Sequence, residues 1–186
     1  MDSRVVAVGS SVDDRDLAAL VRAPWQLQTL DLGFKDMGDA ASLVEARWPS
    51  LQVLQLNDSN LGDEGAASLA AAHLPSLQHL HLESNNFSAA GAASLAAAQW
   101  PALQVLELFN NDVGPAGAAS LATAAWPALR HLTLGLNNIG PAGAASLVAS
   151  RWPYLQRLDL DHNSLQDAGV ATLAAGLAWP DLQCLS

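Results

Sequence analysis

A period of 26 residues runs through this sequence and constrains its fold more than any other feature. Trp48-Pro49, Trp100-Pro101, Trp126-Pro127 and Trp152-Pro153 are spaced by 52, 26 and 26 residues, and Leu74-Pro75 fills the midpoint of the long interval. Trp179-Pro180 follows after 27 residues, with one residue inserted near Gly176. Behind each dipeptide lies the same apolar pattern, Leu51-Gln52-Val53-Leu54-Gln55-Leu56, repeated at Leu77, Leu103, Leu129 and Leu155. A shorter unit at Leu27–Leu32 keeps the register but lacks two residues after Met37. A repeated unit of this length cannot bury its own apolar face, whereas a stack of such units can.

Each unit has two halves. The first alternates Leu with variable residues, the period-2 signature of a strand. The second, Gly65-Ala66-Ala67-Ser68-Leu69 and its copies at Gly91, Gly117 and Gly143, with a looser one at Gly169, is rich in the best helix former. Pro115 and Pro141 stand where a helix tolerates proline in its first turn. The Trp-Pro pairs are expected to end the helices, because proline restricts the residue before it and cannot continue a helix. Most of the 36 Ala and 33 Leu fall on this lattice, Leu in the strands and Ala on the helices.

The motif Leu-x-x-Leu-x-Leu-x-x-Asn-x-apolar, followed by Gly-x-x-Gly-Ala-x-x-Leu-Ala, resembles the leucine-rich repeat family. Its helical half and repeat length are nearest the ribonuclease-inhibitor-like subclass, and the Gly-Ala-Ala-x-Leu-Ala run is similar to bacterial effector repeats named for it. The resemblance implies an α/β fold: a right-handed solenoid, arched like a horseshoe, with a parallel sheet on the concave side and helices on the convex side. Six strands at about 4.8 Å give a sheet roughly 25 Å long. The expected organisation is a degenerate N-terminal unit or cap over 1–22, with Val5–Val8 as a strand and a helix over 13–21. A repeat domain of six units and a truncated seventh follows over 23–186. Leu182–Ser186 ends within a strand without a polar cap, so this end is expected to dock on a partner or to continue into a longer array.

Several conspicuous residues have structural explanations. Asn85, Asn111, Asn137 and Asn163 occupy the turn after the strand, where an amide can satisfy backbone groups of adjacent units. Ser59 and Lys35 take that place in the earlier units, where the ladder should be weaker. The Trp column is expected to pack, because Leu74 replaces Trp once.

Function is expected at the strand positions that packing leaves free. Between the inward Leu residues, the outward columns read Val53, His79, Val105, His131 and Arg157, then Asp31, Gln55, His81, Glu107, Thr133 and Asp159. Just past the strand come Asn57, Glu83, Phe109 and Asp161. This face is acidic, carries histidines and has apolar patches at Val53, Val105 and Phe109, with Leu136 one position further on. An apolar centre within a charged rim is the anatomy of a protein-binding surface. His79 and His81, with Glu83 and Glu107, form an alternative metal-ligand set. The histidines also allow a pH-responsive contact. Neither alternative is needed to explain two histidines on a solvated face, and no metal or cofactor is expected.

Charge and composition remove other classes. The net charge is −10, and no Lys or Arg lies between Trp48 and Leu129. A nucleic-acid binder needs a basic stripe to displace counterions from phosphate, so nucleic acid is excluded as a partner. A basic or neutral protein surface suits better. No run approaches the roughly 20 apolar residues of a membrane span, so direct membrane insertion is not expected. No phosphate loop carries the Walker lysine and no catalytic triad stands out, so no enzymatic activity is expected. Cys184 has no partner for a disulfide within the chain, and Met1–Arg4 with Val5–Val8 is too short and too weakly basic to read as a secretory signal. The expected location is intracellular and cytoplasmic, with an organelle as the alternative. The reading is a non-enzymatic module that binds a macromolecular partner through its concave face. Two alternatives stand beside it: a structural subunit of a larger assembly, and the substrate-recognition arm of a ubiquitin-ligase-type complex.

Overall fold

The computed structural model describes residues 5–7, 26–34, 36, 41–176 and 179–186. The expected helix over 13–21, the rest of the N-terminal cap outside 5–7, Trp25 and Lys35 lie outside the described residues. Eight strands form one parallel sheet in sequence order. They are β1 (Val5–Ala7), β2 (Thr29–Asp31), β3 (Val53–Gln55), β4 (His79–His81), β5 (Val105–Glu107), β6 (His131–Thr133), β7 (Arg157–Asp159) and β8 (Cys184–Leu185). The register is that of the repeat: Leu30, Leu54, Leu80, Leu106, Leu132 and Leu158 are successive partners across the sheet. All six are fully buried, and all but one of their flanking residues in β2–β7 are partly covered; Arg157 is exposed. The α-helices are α1 (Gly62–Ala71), α2 (Ala89–Ala96), α3 (Gly114–Leu121), α4 (Gly140–Val148) and α5 (Gln166–Ala175). Each follows its strand and packs against the helices of neighbouring units.

Two expectations about the helical half need correction. The short first unit forms a 3₁₀ helix, Ala41–Glu45, in place of an α-helix. A 3₁₀ turn rises about 2.0 Å per residue against 1.5 Å, so it spans more length with fewer residues, which suits a unit two residues short. The helices also stop well ahead of the Trp-Pro pairs. After Leu121 the Ala122 N–H still reaches Ala118 O, but Thr123 and Ala124 donate to Ser120 and Leu121, three residues back, as the helix unwinds. The proline has a different task. The N–H of Leu129 donates to Trp126 O at 3.2 Å, and the same bond recurs at Trp48, Trp100, Trp152 and Trp179. Pro therefore occupies the second position of a β-turn that its fixed φ favours, and the turn delivers the chain into the next strand.

Helices this close need small residues. A Cβ added to Gly117 would lie 3.0 Å from the Ala92 Cβ and 2.7 Å from the Val113 side chain, so glycine is required there by contact and not by φ.

The turn after the strand is held by buried asparagines. Asn163 Oδ1 accepts the N–H groups of Asn137 (3.0 Å) and Ile139 (3.1 Å), while its Nδ2 donates to Leu134 O (2.7 Å) and Leu160 O (2.9 Å). Asn85 and Asn111 repeat this clamp, and Asn137 keeps it with one N–H, that of Val113. Ser59 is fully buried, and its Oγ faces Leu32 O (3.3 Å) and Asn57 O (3.1 Å). A hydroxyl has one proton to give where the amide has two, so this rung is weaker, as its sequence suggests.

The tryptophans form a packed column. Trp100 stacks on Trp126 and Trp126 on Trp152, at centroid distances of 6.4 and 6.3 Å, and Leu74 interrupts the column below Trp100. The indole N–H of Trp179 donates to Ser150 Oγ at 2.9 Å. Those of Trp48, Trp100, Trp126 and Trp152 are buried and meet no acceptor among the described residues. One unit before Ser150 the same place holds Ala124, beside Trp152 in the repeat lattice.

Two predictions follow from these buried polar groups. Asn137→Ala leaves the Val113 N–H without its acceptor and takes one of two amide donors from each of the Leu108 and Leu134 carbonyls, and should cost about 2 kcal/mol in urea unfolding. Ala124→Ser gives the Trp152 indole the acceptor that Ser150 gives Trp179, and should add about 1 kcal/mol by the same assay.

Candidate functional site

The parallel register sets the outward residues in straight columns. Val53, His79, Val105, His131, Arg157 and Cys184 are successive partners, as are Asp31, Gln55, His81, Glu107, Thr133 and Asp159. The ladder continues past the strands, where Asp58 N–H donates to Glu83 O, Ser84 to Phe109 O, Asn110 to Gly135 O and Leu136 to Asp161 O. Asn57, Glu83, Phe109 and Asp161 therefore form a third column on the same side.

At the centre, His81 Nδ1 lies 2.5 Å from Glu107 Oε2 across the β4–β5 pair. A carboxylate only accepts, so Nδ1 carries the shared proton. This hydrogen bond holds the His81 pKa above its ordinary value against the opposing effect of burial, and holds the Glu107 pKa below its own. His79, edge-on to His81 at 6.5 Å, is shifted down by burial and then by its charged neighbour. Glu83 is shifted up, first by burial and then by Glu107. Of the metal set, only His81 and Glu107 are in direct contact, and no three His, Cys, Asp or Glu among the described residues are placed to hold one metal ion.

The aromatic element is seated as well. A Cβ on Gly135 would lie 2.9 Å from Phe109 Cδ2, so the Phe109 ring rests against the space that glycine leaves in the next unit. Leu136 has φ 54° and Phe34 φ 60°, and both are exposed, Phe34 at 79% and Leu136 at 41%. The left-handed region costs a non-glycine residue about 1–2 kcal/mol. In the same column Asp58 and Asn110 are of a type that tolerates it. Leu136 and Phe34 thus each hold a bulky apolar side chain in the left-handed region without burying it.

Other acidic residues serve the framework. Asp31 and Asp159 accept the N–H two residues ahead, those of Gly33 and Asp161, and so close the strand ends. Asn57 Oδ1 accepts the Glu83 N–H at 2.9 Å, which ties β3 to β4 beyond the strands. Asp63 lies off this face altogether: its carboxylate accepts from Ser88 and from the Gly91 N–H at the start of α2, capping the helix of the next unit.

The chain belongs to the leucine-rich repeat family: the family's Leucine Rich repeat model matches residues 49–70, 73–96, 101–122, 127–148 and 153–174. No curated protein matches the chain in sequence. Among solved structures, an internalin from Listeria monocytogenes is similar, at 16% identity and a TM-score of 0.38, over 92% of this chain and 63% of the internalin chain. The chain thus spans less than two thirds of that neighbour's length. Leucine-rich repeat domains are generally non-enzymatic modules of protein interaction. No helix among the described residues is long and apolar enough to cross a membrane.

The His81–Glu107 pair has a defined pH window. The Glu107 contribution is present above the free carboxyl's 4.5 and is lost as pH falls through its lowered folded value. The His81 contribution is present below the free imidazole's 6.5 and is lost as pH rises through its raised folded value. The pair therefore stabilises the fold most between 4.5 and 6.5. An NMR titration of the His81 ring should give a midpoint above that of a free histidine, and Glu107→Gln should bring it down.

Proposed function

We propose that this chain is a non-enzymatic protein-binding module whose concave face receives a partner with a basic or neutral surface. The observation that supports this most is the seating of Phe109 against Gly135, beside the His81–Glu107 pair and within a rim of Asp31, Asp58, Glu83, Asp159 and Asp161. An aromatic anchor already held in place loses little conformational freedom on binding. Val53, Val105 and Leu136 extend the apolar area. Gln55, Asn57, His79, His131, Thr133 and Arg157 offer polar contacts around it.

The same reading assigns the repeats to the ribonuclease-inhibitor-like subclass, on the α-helical convex halves of five units. It assigns the chain to the cytoplasm, where Cys184, the free thiol of β8, stays reduced.

The test is affinity capture with the wild-type chain from its native source, repeated with the double variant Glu107→Gln/Phe109→Ala. The captured protein should bind the variant at least about tenfold more weakly, as expected for loss of a central anchor. Equal binding by a folded variant would contradict the concave reading and favour a scaffold role through the helices or the ends.

A further inference from the structure

On the other side of the repeats, where the helices return toward the strands, the turns enclose a groove of about 1240 Å³. Its exposed apolar surface comes from Ala71, Ala125, Pro101, Pro127 and Pro153, over a floor in which Trp100 and Trp126 are buried. Its polar residues are Arg47, His73, Gln99, Thr123 and Arg151. No Asp or Glu lines it, in a chain with 18 acidic residues and 8 Lys and Arg. Arg47, His73, Gln99 and Arg151 all precede the Trp-Pro or Leu-Pro step, so the repeat sets them in one column. Both arginines are exposed. Arg47 donates to the carbonyls of Val44 and Ala46, and neither guanidinium meets a carboxylate among the described residues.

We propose that this groove is a second docking site, distinct from the concave face, for an extended acidic and apolar peptide segment of another protein. The charge selects the occupant. A compact anion such as phosphate is bound where cations converge on one point, but Arg47 and Arg151 stand at opposite ends, four repeats apart. Strands are about 4.8 Å apart and packed helices 8–10 Å, so four repeats at this edge span roughly 20–40 Å. A peptide extended at about 3.3 Å per residue covers that span with roughly six to twelve residues. Carboxylates at its two ends would meet the guanidinium groups, and small apolar side chains between them would lie along the Ala and Pro surface. The molecule thus presents two faces of opposite charge preference, an acidic sheet and an acid-free groove.

The probe is a fluorescein-labelled decapeptide, Asp-Glu-Leu-Ala-Val-Leu-Ala-Leu-Glu-Asp, titrated against the full chain by anisotropy. Its control has every Asp and Glu replaced by Asn and Gln, so that it is neutral and gains no attraction to the acidic concave face. The acidic peptide should bind saturably and at least about tenfold more tightly than the control, and should lose affinity as salt rises. Arg47→Glu/Arg151→Glu should weaken it about tenfold or more, with an unchanged circular dichroism spectrum. Glu107→Gln/Phe109→Ala should leave it unchanged, which separates this site from the concave one. Equal binding of the two peptides, indifference to the arginine reversals, no saturable binding, or loss in the concave variant would each overturn the proposal. So would concentration-dependent dimerisation by sedimentation that the arginine reversals abolish, because the occupant would then be a second copy of this chain.

Discussion

The buried asparagine clamp is the interaction on which the rest of the molecule depends. A parallel sheet of three-residue strands leaves each chain turning sharply after the last strand residue, and those turns stack inside the solenoid away from water. Their N–H and carbonyl groups need partners. In the four units that carry Asn85, Asn111, Asn137 and Asn163, one amide provides them in both directions, accepting from the preceding unit and donating to carbonyls of its own and the preceding unit. This bond pattern fixes the offset between units at one repeat. With that offset fixed, the Leu residues coincide in the core, the Trp residues stack, and the outward side chains fall into columns. The candidate site is thus a consequence of register: His81 meets Glu107, and Phe109 meets Gly135, because each lies in the same position of adjacent units.

Much of this was legible in the sequence because the repeat presents every framework position several times. The strand positions, the inward Leu residues, the asparagine ladder and the packing of the Trp column all follow from comparing units. The weak rung at Ser59 follows from counting protons. The role of the Trp-Pro pair was less legible. Proline marks a boundary in sequence, but a helix end and a β-turn start are separated only by hydrogen bonds, and here the helix unwinds before the turn begins. The 3₁₀ helix of the first unit depends likewise on how a shortened segment spans a fixed distance.

The site was legible as columns but not as contacts. Alternation identifies which residues face outward. It does not say that Asp31, Asp159 and Asn57 spend part of their bonding on the backbone, or that Asp63 caps a neighbouring helix. The left-handed backbone at Leu136 and Phe34 left no mark in composition either, since Asn, Asp, Ser and His share that column. Gly135 is the instructive case. Within its own unit it is a small residue in a variable column, and its purpose becomes visible only against Phe109 one strand away.

The central claim is that a partner is read by the concave columns and not by the helices. Carboxylate footprinting of the complex with the captured partner tests it most directly, because acidic side chains lie on both sides of the solenoid. Asp58, Glu83, Glu107 and Asp161 should be protected from carbodiimide labelling when the partner binds, while Glu64 and Asp167, exposed in the first turns of α1 and α5, should label as in the free chain. Protection of Glu64 and Asp167 with Asp58, Glu83, Glu107 and Asp161 unchanged would contradict the account.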